Sequence, residues 1–156
     1  MQLKHRTVLL ACAMSVVSLT FSQIEVLAAD MGCFDQAAAR YRVPASLLRA
    51  ISSVESGGNP RARHVNKNGS EDIGHMQINS AWLPTLAKFG IDRSRLSEPC
   101  VNTNVGAWIL ANNFSRVGYK WDAVGAYNAR SPDKAAIYSR KIAYRLLIEN
   151  QKRKAN

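Results

Sequence analysis

Residues 44–58 can fold into little other than an amphipathic helix. Pro44 suits a first helical turn, ASLLRAISSVES follows without a breaker, and Gly57-Gly58-Asn59-Pro60 stops it. At 100° per residue, Leu47, Leu48, Ala50, Ile51 and Val54 share one face, with Arg49 and Ser56 opposite. Glu55 falls on the apolar arc, between Ile51 and Leu48. Two placements are open to it. Either it sits at the edge of the face and turns to water, or it is desolvated at the negative end of the helix. In the second case both effects favour the protonated carboxyl, the state a general acid requires.

The remaining elements follow from the same kind of periodicity. Residues 33–41 read as a short helix. RARHVNKNGSEDIG is a polar loop with a tight turn at Asn68-Gly69, so a small β or loop excursion is expected around residues 61–73. GHMQINSAWLPTLAKFG is expected to resume helix, broken near Pro84. From Pro99, VNTNVGAWILANNFSRVG carries Val101, Val105, Trp108, Ile109, Leu110 and Phe114 on nearly all sides and predicts a buried central helix. A short helix through WDAVGAYN precedes a last one from residue 132 to about 149, with Tyr138, Ile142 and Leu146 on one face. The fold class is α+β, mainly α.

The first residues read differently. Lys4, His5 and Arg6 precede an apolar run over residues 7–21, and Val26-Leu27-Ala28-Ala29-Asp30 ends in small residues. That is the layout of a secretory signal peptide over residues 1–29, cleaved after Ala28 or Ala29. About fifteen apolar residues fall short of the roughly 20 needed to span a bilayer, so no stable membrane insertion is expected after cleavage. A lipoprotein signal at Leu9-Leu10-Ala11-Cys12 is disfavoured by the few apolar residues before the cysteine. What remains suffices for one domain, residues 30–150, with a basic tail at residues 151–156.

Cleavage removes Cys12 and leaves Cys33 and Cys100, which in an exported protein are expected to form one disulfide. Closing that loop stabilises by roughly 4 kcal/mol in the chain-entropy model. Two cysteines without clustered histidines make no metal site. The 21 Lys and Arg against 11 Asp and Glu give +10, a field that favours polyanions. Nucleic acid, anionic membrane and the bacterial wall all qualify by charge. Export, and the lack of an aromatic-basic recognition motif, argue against nucleic acid.

Four strings choose among the rest. VESGGNP, DIGHMQIN, EPCVNTNVGAWIL and AYNA occur in the order and with the gaps found in bacterial lytic transglycosylases, whose pattern resembles ES…GxMQI…AYN. The resemblance covers about residues 33–145. It implies a lysozyme-like fold with Glu55 as catalytic acid and base, and Ser56, Met76, Gln77, Tyr127 and Asn128 in contact with the glycan. It further implies cleavage of the β-1,4 bond between N-acetylmuramic acid and N-acetylglucosamine to leave a 1,6-anhydro sugar, with no metal or organic cofactor. Size, cysteines and leader look most like the small members that accompany type III secretion, type IV secretion and pilus machines. A monomer in the periplasm or outside the cell, acting on peptidoglycan strands and meeting components of such a machine, is the expectation.

Two positions depart from the pattern. His75 stands where an aliphatic residue is usual, and is expected either to face solvent or to alter the polarity of the groove. Arg130 follows AYNA, where a small residue is common.

NGSEDIGHMQINS is also similar to the segment of animal egg-white-type lysozymes that carries the second catalytic carboxylate, a place Asp72 takes. Asp72 is then either a stabiliser or nucleophile for oxocarbenium-like charge, or the cap of a helix starting near Gly74. Of the three tryptophans, Trp82 is the best candidate to stack on a sugar, and Trp108 is expected in the core. Two alternatives to the transglycosylase remain: a muramidase that hydrolyses with Glu55 and Asp72, and a non-catalytic wall-binding or secretion-scaffold protein. A cationic protein acting on membranes ranks behind both, because no basic amphipathic stretch stands apart from the fold pattern.

Overall fold

The computed structural model describes residues 32–155, with side chains through Gln151; the expected signal peptide lies outside the described residues. The elements run α1 (Cys33–Tyr41), α2 (Ala45–Ser56), β1 (Arg63–Val65), β2 (Glu71–Ile73), β3 (Ile78–Asn79), a 3-10 turn (Ser80–Trp82), α3 (Leu83–Leu86), a second 3-10 turn (Ala87–Phe89), α4 (Arg93–Leu96), α5 (Pro99–Val117), α6 (Trp121–Asn128) and α7 (Pro132–Ala155). No helix among the described residues is long and apolar enough to cross a membrane.

Helix α5 is the axis of the core. Val105, Ala107, Ile109 and Leu110 of α5 are buried with Leu47, Leu48, Ala50 and Ile51 of α2 and with Tyr138 and Ile142 of α7. The faces predicted for α2 and α7 are thus the faces that pack. Cys33 at the start of α1 and Cys100 at the start of α5 form the disulfide, 67 residues apart in sequence. Helix α7 continues to Ala155, past the expected end near residue 149 and through most of the predicted tail.

The residues after the hairpin depart from the helix expected there. The sheet is antiparallel in the order β1-β2-β3, with His64 opposite Asp72 and Asp72 opposite Asn79, so it extends beyond residue 73. GHMQIN is therefore a tight turn and a strand rather than helix. Gln77 N–H donates to the Gly74 carbonyl at 3.0 Å, and both Gly74 (φ 73°) and Gln77 (φ 48°) occupy the left-handed region, which no helix tolerates. Helical turns resume only after Asn79, whose side chain accepts from Ala81 N–H at 3.0 Å. Asp72 is not the cap.

The sheet is clasped by charge. Glu71 accepts from Arg63 Nη2 at 2.5 Å and also from Arg93 on α4, and these two guanidinium groups hold its carboxyl down to about 2. A carboxyl whose folded value is depressed stabilises the fold above its ordinary 4.5 and loses that contribution as pH falls toward about 2. In an acid titration followed by circular dichroism, Glu71→Gln should match the parent near pH 2 and fall below it in stability above pH 4.5. A constant difference across that range would argue against the clasp.

Candidate active site

A groove of about 1640 Å³ runs between the sheet and the helices, and Glu55, Asp72, Gln77, Trp82, Tyr127 and Asn128 all line it. Helix α2 brings Glu55 there in its last turn, half-buried, which selects the desolvated placement over the edge one. Burial raises the Glu55 pKa first of all, and the nearby charge of Asp72 adds to the rise. Lys141 and a hydrogen bond act the other way. That bond comes from Tyr138, whose hydroxyl donates to Glu55 Oε1 at 2.5 Å.

Tyr138 had been legible only as a core position of the last helix. It is 5% exposed, and burial and the adjacent Glu55 push its own pKa far upward, so it remains a donor. A donated hydrogen bond at Oε1 leaves Oε2 as the oxygen free to carry the transferable proton. The one clue in the sequence was chemical: a buried tyrosine hydroxyl needs a partner.

Removing that donor should raise the Glu55 pKa further, since the bond favours the carboxylate. If Glu55 must be protonated to act, Tyr138→Phe should shift the high-pH limb of kcat/KM upward by up to about one pH unit, with KM little changed. An unmoved limb would separate Tyr138 from the titration of Glu55.

Asp72 is held differently. Its Oδ1 accepts from Asn79 Nδ2 at 2.7 Å and its Oδ2 from Asn66 Nδ2 at 3.0 Å. Both asparagines also reach Ser70 Oγ, so the hairpin and β3 lock one carboxylate in place. Two amide donors satisfy a negative charge without neutralising it, which suits a fixed electrostatic stabiliser. From sequence, Asn66 belongs to the polar turn-forming loop and Asn79 to a stretch expected to be helix, and neither expectation places them on Asp72.

The other expected contacts divide into two groups. Gln77 and Asn128 reach the groove, and Gln77 Nε2 also donates to the Gly74 carbonyl at 2.9 Å. Tyr127 lines the groove too, while its hydroxyl donates to the Met76 carbonyl at 3.0 Å. Met76 itself is fully buried and its side chain does not line the groove. The close approach of these groups to α5 depends on Gly106, where a Cβ would stand 2.6 Å from Met76 Cε and 3.0 Å from the Tyr127 hydroxyl. Ser56 does not line the groove either: its hydroxyl donates to the His75 carbonyl at 2.9 Å, tying α2 to the turn before β3.

His75 is a correction, since it neither meets solvent nor lines the groove. At 5% exposure it lies with Nε2 3.1 Å from the Pro99 carbonyl and Nδ1 2.8 Å from Ser52 Oγ. A carbonyl only accepts, so Nε2 carries the hydrogen and Nδ1 accepts from Ser52. Burial pushes its pKa down and favours this neutral form. Trp82 lines the groove edge-on to Trp108, with ring centroids 5.4 Å apart.

Residues 32–141 match the family described as Transglycosylase SLT domain. The chain belongs to that family. Other proteins share much of this transglycosylase domain. Protein IpgF of Shigella flexneri is 44% identical over 103 residues, covering 65% of this chain and 68% of its own. Invasion protein IagB of Salmonella typhimurium is 43% identical over 115 residues, with 70% and 72% covered. Among solved structures, an inactive glutamate-to-glutamine mutant of lytic transglycosylase Slt from Pseudomonas aeruginosa superposes with a TM-score of 0.62 at 25% identity. That match covers 78% of this chain and 24% of the Slt chain. The SLT fold seen here, mostly helical with one small sheet, is lysozyme-like as the motifs implied.

Proposed function

We propose that this chain is a peptidoglycan lytic transglycosylase that cuts the β-1,4 bond between N-acetylmuramic acid and N-acetylglucosamine. The observation that carries the reading is the state of Glu55: a half-buried carboxyl with a raised pKa, lining a groove of about 1640 Å³ and hydrogen-bonded by Tyr138. Family membership supplies the substrate class.

Glu55 protonates the glycosidic oxygen. Positive charge develops at the muramic C1 and is stabilised by the fixed carboxylate of Asp72, or by the acetamido group of the sugar. Glu55, now ionised, takes the proton of the C6 hydroxyl of the same sugar, and that oxygen closes the 1,6-anhydro ring. The site of action is the wall, in the periplasm, reached through the signal segment at residues 1–29. Local opening of the wall for a secretion or pilus machine is the biological role proposed.

A second reading keeps Glu55 as acid and lets water resolve the charge beside Asp72, which is favoured by the placement of that carboxylate in the groove. Mass spectrometry of muropeptides released from purified sacculi distinguishes the two. Products lighter by one water are expected, and their absence alongside ordinary reducing ends would establish the hydrolase instead.

A further inference from the structure

Helix α7 leaves an apolar seam uncovered. Ile137, Tyr144 and Leu147 are 47%, 67% and 61% exposed, whereas Tyr138 and Ile142 on the opposite side of the same helix are buried in the core. At 100° per residue the three exposed side chains fall on one stripe, about 15 Å long at the rise of a helix. None of them lines the catalytic groove, which α7 reaches only through residues of its first turns.

The seam is bordered by cations. Arg140 stands on one flank and Lys134 and Lys141 on the other, all three exposed. None of the three forms an ion pair among the described residues, whose four salt bridges are made by Arg49, Arg63, Arg93 and Lys120. Between Lys134 and Gln151 the helix has a single carboxylate, Glu149, and that residue is half-buried on the side away from the seam. An apolar line at seven-residue spacing, with unpaired charge of one sign on both flanks, has the layout of one half of a helix pair.

Charge selects what completes it. A second copy of this chain would set Arg140 and Lys141 against themselves, on a protein whose net charge is already +10. A lipid surface takes up a broad apolar face, and this stripe is one side chain wide. A helix with a matching apolar stripe between acidic flanks buries the three exposed side chains and pairs the free cations at once. We propose that the outer face of α7 is a docking surface for an acidic amphipathic helix of a partner protein, seated along Ile137, Tyr144 and Leu147 and held in register by Arg140 and Lys141. Because the seam lies outside the groove, the partner docks without covering the catalytic site.

A synthetic peptide of about three heptads, with leucine along one stripe and glutamate on both flanks, is the probe. A scrambled peptide of the same composition keeps its charge and loses the stripe. Calorimetric titration of the full domain should give a Kd on the order of ten micromolar for the first and at least tenfold weaker binding for the second. Tyr144→Ser and Arg140→Glu should each weaken the first peptide by about tenfold or more, and Lys88→Glu, the same change of net charge on another element, by less than threefold. Thermal unfolding of each variant shows that the fold is kept. No binding, equal binding of the scrambled peptide, or binding undiminished by Tyr144→Ser would overturn the proposal. Capture by phosphatidylglycerol vesicles that Tyr144→Ser abolishes, with no peptide binding, would replace the protein partner by a lipid surface and overturn it too.

Discussion

Glu55→Gln should reduce muropeptide release from sacculi by on the order of a thousandfold, because the substitution removes the transferable proton while keeping an oxygen to accept from Tyr138. The same protein should be more stable than the parent at neutral pH. A carboxyl with a raised pKa in the fold keeps a proton that the unfolded chain has lost, so stability declines as pH rises through that window. Glutamine has no such penalty, and the advantage should fade as pH falls below 4.5, where the parent is protonated in both states. Turbidity loss equal to that of the parent would remove Glu55 from catalysis and favour the non-catalytic wall-binding reading.

The second large effect is on folding. Asn102 of α5 is fully buried and makes three hydrogen bonds: its Oδ1 accepts from Met76 N–H at 2.8 Å, and its Nδ2 donates to the carbonyls of Ile73 at 2.9 Å and Leu96 at 3.0 Å. It pins the turn that carries Gln77 and Met76 to the central helix. Gly74 sits so close that a Cβ there would lie 2.5 Å from Asn102 Nδ2, and its φ of 73° already excludes most side chains. Asn102→Ala strands one N–H and two carbonyls in the core. It should cost roughly 3 kcal/mol or more and lower Tm by on the order of 10 °C in calorimetry, with the loss of Gln77 placement visible as reduced glycan binding. A shift within a degree or two would mean that water reaches those groups.

Asn102 and His75 show why part of the site was hidden in the chain. Helix α5 read as apolar on nearly all sides, yet Asn102 and Thr103 are buried polar residues on it. Nothing local distinguishes an asparagine that will be exposed from one that will clamp a turn 26 residues away. His75, in a position where an aliphatic residue is usual, was expected to face either solvent or the groove. It is instead a neutral link between α2 and α5, made possible because Ser52 and the Pro99 carbonyl happen to face it.

The turn after β2 misled for a related reason. The run GHMQIN has helix-compatible residues, and their weak local preference lost to strand pairing between Ile73 and Ile78, with Gly74 absorbing the reversal. By contrast, the faces of α2 and α7, the breakers at Pro44 and Pro99, the Asn68-Gly69 turn and the pair Cys33 and Cys100 depend on neighbours a few residues away or on cysteine arithmetic. Local periodicity was enough for those.

For this protein, then, sequence determined that a carboxylate would lie on the apolar side of a short helix, and the ordered motifs determined its family. The tertiary structure decided the chemistry around it. Tyr138 comes to Glu55 from 83 residues away, and Asn66 and Asn79 meet on Asp72 only when the sheet closes. A pKa is set by the charges, donors and solvent that surround a group, and those neighbours are chosen by the packing of distant elements rather than by the residues next to it in the chain.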